Sequence, residues 1–285
     1  MVFAEGGVIQ ISPSTKNIYL DPGASYSDNL LVQNIGDEAL DFVINVSPYQ
    51  VKDGTYDPIY SINNEWTKIV EWVSVPTETF HLEPKDSVEV PYSINVPTDV
   101  AAGAQYVVIS AVSNKTSTSG ETVKVISSVG MLVYAEISGE TRVDGEVLSK
   151  EIKGFLLKPP ITVDFSLSNT GNINSIAECS MVVTNFFSGS EAYSNKDDPK
   201  KIVVMPDTVR DNTLSWESSP FLGIFRVNVS LTYLSETFNV SKIVILCPLW
   251  FIVLTIVFIT MAVMMAVFSY KKRHQSYSRN KGFGF

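Results

Sequence analysis

The chain has 285 residues, carries 21 Lys and Arg against 30 Asp and Glu, and is 45% hydrophobic. Its acidity speaks against a nucleic-acid partner held through phosphate neutralisation. Two Cys and two His supply no disulfide framework and no cluster with metal-ligand spacing, so no cofactor or metal is expected.

The chain opens Met1, Val2, Phe3, Ala4, and Val2-x-Ala4 has the small-residue pattern that precedes a signal-peptidase cut. Residues 1–4 therefore read as a signal-peptide remnant. From about Val8 the hydrophobic pattern has period two. Phe42, Ile44 and Val46 alternate with Val43 and Asn45, and Val88, Val90, Tyr92, Ile94 and Val96 alternate with Glu89, Pro91, Ser93 and Asn95. Val163, Phe165 and Leu167 repeat the pattern, as do Phe225, Val227, Val229, Leu231 and Tyr233. Strands of this kind bury one face and wet the other, as antiparallel sheets do. Turn residues at Asp21-Pro22-Gly23, Asp53-Gly54, Pro84-Lys85-Asp86 and Pro206-Asp207 separate them.

The pattern is duplicated. Leu30-x-Val32-x-Asn34-x-Gly36-Asp37 and Phe165-x-Leu167-x-Asn169-x-Gly171-Asn172 share one form, and in each half a Gly precedes a long alternating strand, at Gly103 and at Gly223. The expectation is an all-β chain of two tandem Ig-like antiparallel β-sandwiches, over 8–138 and 139–241, with a short junction near Ser138. The segment 49–80 departs from this pattern. It carries Tyr49, Tyr56, Tyr60, Trp66, Trp72 and Phe80 in a polar setting, and Asn63 or Asn64 is placed to cap one or two helical turns ending near Glu71. Trp72, beside Ile69 and Val70, reads as core. Tyr56, Tyr60 and Trp66 are the candidate ligand-contacting residues, as an aromatic surface that stacks on sugar or protein.

Residues 243–270 contain no Asp, Glu, Lys or Arg, and the chain then turns basic at Lys271-Lys272-Arg273. A run of this length exceeds the roughly 20 residues that cross a bilayer core, and soluble helices seldom stay apolar on every face. Five of the 21 basic residues and none of the 30 acidic ones follow the run. Positive charge beside a span stays cytoplasmic. The expected topology is a single-pass membrane protein with a transmembrane helix over 243–270, a basic cytoplasmic tail over 271–285, and the large N-terminal part outside.

Ile11-Ser12-Pro13, Leu20-Asp21-Pro22-Gly23, Val32-Gln33-Asn34-Ile35-Gly36-Asp37, Val46-Ser47-Pro48-Tyr49, Ile69-Val70-Glu71-Trp72-Val73, Phe80-His81-Leu82-Glu83-Pro84 and Pro97-x5-Gly103-Ala104-Gln105-Tyr106 follow one another in order. Over 8–138 this resembles the N-terminal domain of WxL-interacting proteins, a group of bacterial cell-surface Ig-like domains. The resemblance implies a bacterial envelope, a first domain that attaches to peptidoglycan, and a second that takes a partner protein. It carries no individual ligand residue across.

Enzymatic chemistry has little to stand on. No phosphate loop, Gly-x-Ser-x-Gly elbow or Ser-x-x-Lys occurs. Asp53 with Asp57, and Asp197 with Asp198, read as solvated turns. Sequons at Asn45, Asn114, Asn228 and Asn239 matter only in a host that glycosylates them. The expected function is therefore non-enzymatic: a membrane-anchored extracellular binding or adhesion protein that attaches to peptidoglycan or another wall polymer, to a surface-protein partner, or to both. The alternative is an envelope assembly factor that donates an edge strand to exported subunits, as pilus chaperones do.

Overall fold

A computed structural model describes residues 9–116 and 124–280. The remnant expected over 1–4 lies outside the described residues. The described residues fold as two Ig-like sandwiches followed by one long helix.

In the first sandwich one sheet has the order Ile9–Ser12, Ser25–Asn34, Ser87–Asn95, Val73–Ser74. The other runs Thr15–Leu20, Lys124–Ile137, Gly103–Thr116, Leu40–Pro48, Phe80–Leu82. The chain crosses between sheets at Pro13, so Thr15–Leu20 pairs parallel with the last strand while the other pairs are antiparallel. The period-two residues meet between the sheets: Leu30, Val32, Ile94, Ile109, Met131 and Val133 are all fully or almost fully buried. Truncating one such side chain to Ala costs about 2–5 kcal/mol.

The second sandwich repeats the plan. Gly145–Ile152, Ile161–Asn169 and Thr208–Trp216 form one sheet. Phe155–Leu156, Glu236–Leu246, Gly223–Tyr233, Ser175–Asn185 and Glu191–Ser194 form the other, with Lys200–Val204 also paired to Ser175–Asn185. Phe155–Leu156 again lies parallel to the last strand. The duplicated Asn has a structural cause. Asn34 and Asn169 end equivalent strands and are almost fully buried. Each takes the N–H of the Gly two residues on with its side-chain oxygen, at 3.0 Å from Gly36 and 2.9 Å from Gly171. Each amide then donates across the sandwich, Asn34 to the Leu82 carbonyl at 3.3 Å and Asn169 to that of Val204 at 2.9 Å. A buried turn needs its backbone groups satisfied, and Asn carries a donor and an acceptor on one short stem.

Two expectations need correction. The transmembrane helix does not begin at residue 243. Residues 243–246 complete the strand Glu236–Leu246, with Val244 and Leu246 in the core, and the helix runs Leu249–Asn280. The reason is that an uncharged run is compatible with a strand end apolar on both faces, and Pro248 sets the break: its carbonyl accepts the N–H groups of Phe251 and Ile252 at the first helical turn. The second sandwich therefore extends past 241. The stretch Leu249–Lys271 is long and apolar enough to cross a membrane. Near Asn63 the predicted turns reduce to a single 3₁₀ turn, Lys68–Glu71, while the Asn64 side chain accepts the Trp66 N–H at 3.0 Å. Ile69 and Trp72 sit in the first core.

Candidate functional site

The segment after Pro48 leaves the first sandwich and lies against the second. Gly54, at φ +76°, occupies the end of a tight turn. Its N–H donates to the Val209 carbonyl at 2.8 Å, and its carbonyl accepts the Asp211 N–H at 3.1 Å. Gly54 thus forms a one-residue parallel bridge to the edge strand Thr208–Trp216. The Asp53 carboxylate takes the Val209 N–H at 2.9 Å. Asp53 is therefore part of the junction, and among the described residues no group of three or more His, Cys, Asp or Glu could hold a metal ion.

Tyr56 completes the attachment. Its hydroxyl accepts the Met205 N–H at 2.6 Å and lies 3.1 Å from the Thr208 hydroxyl. The Arg210 guanidinium covers its ring at 4.2 Å from the centroid. Burial raises the Tyr56 phenol above its usual range, and the bonds from Met205 and Thr208 oppose the shift. Behind it a small third core joins the domains: Val51, Ala104 and Tyr106 from the first sandwich, Met205 from the second, with Tyr49, Tyr56, Trp66 and Tyr134 around them. The Tyr106 hydroxyl donates to Asn174 Oδ1 at 2.5 Å, and the Ala104 N–H donates to the Asn172 carbonyl at 2.8 Å. Tyr106 is almost wholly enclosed, and burial holds its phenol protonated far above the ordinary range.

The three aromatic candidates therefore part company. Tyr56 has ring and hydroxyl committed to the second sandwich. Tyr60 is 53% exposed and meets Tyr49 at 6.1 Å between centroids. Trp66 is half-buried, its carbonyl accepting the Tyr106 N–H at 2.8 Å. It lines a cleft of about 690 Å³ at the junction, together with Glu65, Lys68, Asp99, Arg142 and Asp207.

A second feature lies on the first sandwich. The strands Gly103–Thr116 and Lys124–Ile137 form a hairpin of fourteen residues a side, paired along its whole described length. The strand Thr15–Leu20 covers the outer side of Lys124–Ile137 only from Leu132 to Ile137. Among the described residues no strand pairs with that side over 124–131, although Ile9–Ser12, which belongs to the other sheet, packs close to Lys124–Ile137. The Leu132 N–H points outward, to the Ser14 carbonyl at 3.0 Å. By the period of a strand, the N–H and C=O groups of Ser128 and Gly130 point the same way, into the open edge. Edges are usually blunted by charge, Pro or a bulge. Here 124–131 has one Lys, no Pro and an unbroken register. Sequence reading did not isolate this edge. Its signal was the polar stretch from Ser117 to Glu121, flanked by two apolar runs of hairpin character.

No protein-family model and no curated protein matches the chain. Among solved structures it is similar to the Class 5 fimbriae chaperone CfaA, at 13% identity over 82% of this chain and 99% of that one, with a TM-score of 0.40. It is also similar to the E. coli chaperone DraB, at 11% identity over 82% and 98%, with a TM-score of 0.39. The Pseudomonas aeruginosa CupB2 chaperone matches at 11% identity over 82% and 99%, with a TM-score of 0.35. At these scores the likeness assigns no activity to this chain.

Proposed function

We propose that this chain is a membrane-tethered, non-enzymatic holder of other surface proteins, which takes an extended segment of its partner as an added strand beside residues 124–131. The observation that carries the reading is the unpaired edge: outward backbone donors and acceptors on one strand of a long hairpin, with alternate side chains left to select the partner. An assembly factor for exported subunits fits this reading better than a wall adhesin. The length and apolarity of Leu249–Lys271 support a membrane anchor in this reading, and the charge asymmetry about it supports sandwiches outside the cytoplasm.

The test is a photo-crosslinker at Ser127 in the full chain, expressed in its native membrane. Crosslinks to one or a few surface proteins, lost in a Ser128→Pro variant, support strand addition. A crosslink pattern unchanged by Ser128→Pro sinks it.

Wall-polymer binding is a second reading, favoured by the junction cleft, where Trp66 stands among carboxylates and basic groups suited to a sugar's hydroxyls. Sedimentation of the detergent-solubilised chain with peptidoglycan sacculi tests it. Saturable binding lost on Trp66→Ala supports it, and equal binding by both proteins counts against the cleft.

A further inference from the structure

The end of the second sandwich from which the helix leaves is unlike the rest of the surface. Leu246 faces Gly223 and Leu156 across its two strand neighbours, and the helix starts at Leu249. The short strand that carries Phe155 with Leu157 just after it, the loop carrying Phe221 and Leu222, and the turn carrying Phe187 therefore all lie at this end. The Phe186 N–H bonds the Ile224 carbonyl at 3.0 Å, which fixes the last of them there. Phe187 is 80% exposed and Phe221 is 68% exposed. Among the described residues, every exposed Phe of the two sandwiches is at this end: Phe155, Phe186, Phe187 and Phe221. The first sandwich exposes none. A surface so concentrated in aromatic and aliphatic side chains marks a contact.

The geometry points to the bilayer itself as the occupant: we propose that the lower end of the second sandwich rests on the membrane, with Phe187, Phe221, Leu222 and Leu157 seated among the lipid headgroups around the emerging helix. The collar is continuous with the membrane span. Only Cys247 and Pro248 separate the last strand from the helix, and the Cys247 N–H bonds the Leu156 carbonyl at 2.9 Å, so the joint has little slack. Trp250, 59% exposed on the first helical turn, sits at the depth where aromatic rings collect. Exposed Lys153, Lys158 and Arg226 stand beside the collar, with Glu217 as an acidic neighbour. These cations suit lipid phosphates although the outer part of the chain is acidic overall. Interfacial side chains of this kind enter the headgroup region by about 5–10 Å. Seated so, the two sandwiches stand off the membrane in a set direction, with the open hairpin edge in the outer domain.

This inference rests on the helix being a membrane span, and the experiment separates the two. The full chain, in a Cys247→Ser background, is reconstituted at one copy per phosphatidylcholine nanodisc. Single nitroxide labels replace Phe187, Phe221, Phe258 in the helix, or Glu236 at the opposite end of the second sandwich. Collision with a water-soluble nickel chelate is then measured. The expected result is strong shielding at Phe258 and a several-fold lower collision rate at Phe187 and Phe221 than at Glu236. Shielding at Phe258 with Phe187 and Phe221 as accessible as Glu236 overturns the collar while leaving the span intact. Free access at Phe258 overturns both. One copy per disc removes a second chain as the cause of shielding.

Discussion

Tyr56 shows how one side chain can hold two domains. Its hydroxyl satisfies the Met205 N–H and pairs with Thr208, and its ring packs under Arg210. Tyr56→Phe keeps the ring but orphans that N–H, which should cost about 1–2 kcal/mol, measured as a lower urea midpoint for the detergent-solubilised chain. A midpoint unchanged from the parent would show that solvent replaces the hydroxyl. A second residue-scale prediction concerns pH. Lys16 donates to Asp28 at 2.6 Å across the two sheets of the first sandwich. That bond, helped by the Asn29 N–H and the Tyr26 hydroxyl, lowers the Asp28 carboxyl from 3.8 to about 2. As pH falls the unfolded chain takes up this proton first. The contribution is thus complete above about pH 4 and is lost as pH falls toward the folded value. Asp28→Asn should flatten the slope of stability against pH in that window. The effect is small because the Asp28 side chain is 36% exposed.

At the scale of elements, the hairpin and the junction respond to different changes. Ser128→Pro removes an N–H that faces outward, so it should leave the fold within about 1 kcal/mol of the parent, as edge positions tolerate Pro. It should still abolish partner capture, read by crosslinking from Ser127. Gly103 is the converse case. It sits at φ +136°, and a Cβ there would lie 2.6 Å from the Asn172 carbonyl oxygen of the second sandwich. Gly103→Ala should therefore destabilise the junction by about 1–3 kcal/mol, measured by calorimetry, with the hairpin edge still able to crosslink. Much of this level was legible beforehand. Alternation at residues such as Val163, Phe165 and Leu167 showed strands, and the paired Asn34 and Asn169 motifs showed a repeat. The ends of elements were less legible: 243–246 read as membrane helix because an uncharged run does not reveal that Val244 and Leu246 alternate into a core.

For the whole molecule, the third core makes the two sandwiches one mechanical unit. Val51, Tyr106 and Met205 are each less than a tenth exposed and come from both domains. The expected calorimetric behaviour is one cooperative unfolding transition for the paired sandwiches. Tyr56→Ala combined with Asp53→Ala should split it into two, because both changes remove bonds that cross the junction. A single transition that persists in the double variant would mean the remaining contacts couple the domains alone.

What the sequence by itself determined was everything carried by local pattern and by charge counted along the chain: strands of period two, a duplicated sandwich, a membrane-length apolar run, and basic residues on one side of it only. These depend on neighbours within a few residues. Only the tertiary structure decided which of Tyr56, Tyr60 and Trp66 stays exposed. Tyr56 is claimed by Met205 and Thr208, about 150 residues away along the chain, and no local period encodes such a contact. The open edge at 124–131 was likewise a tertiary result. Among the described residues it exists because Thr15–Leu20 is shorter than the strand it pairs with; the polar stretch from Ser117 to Glu121 marks a hairpin, but no local period encodes where a distant partner strand stops.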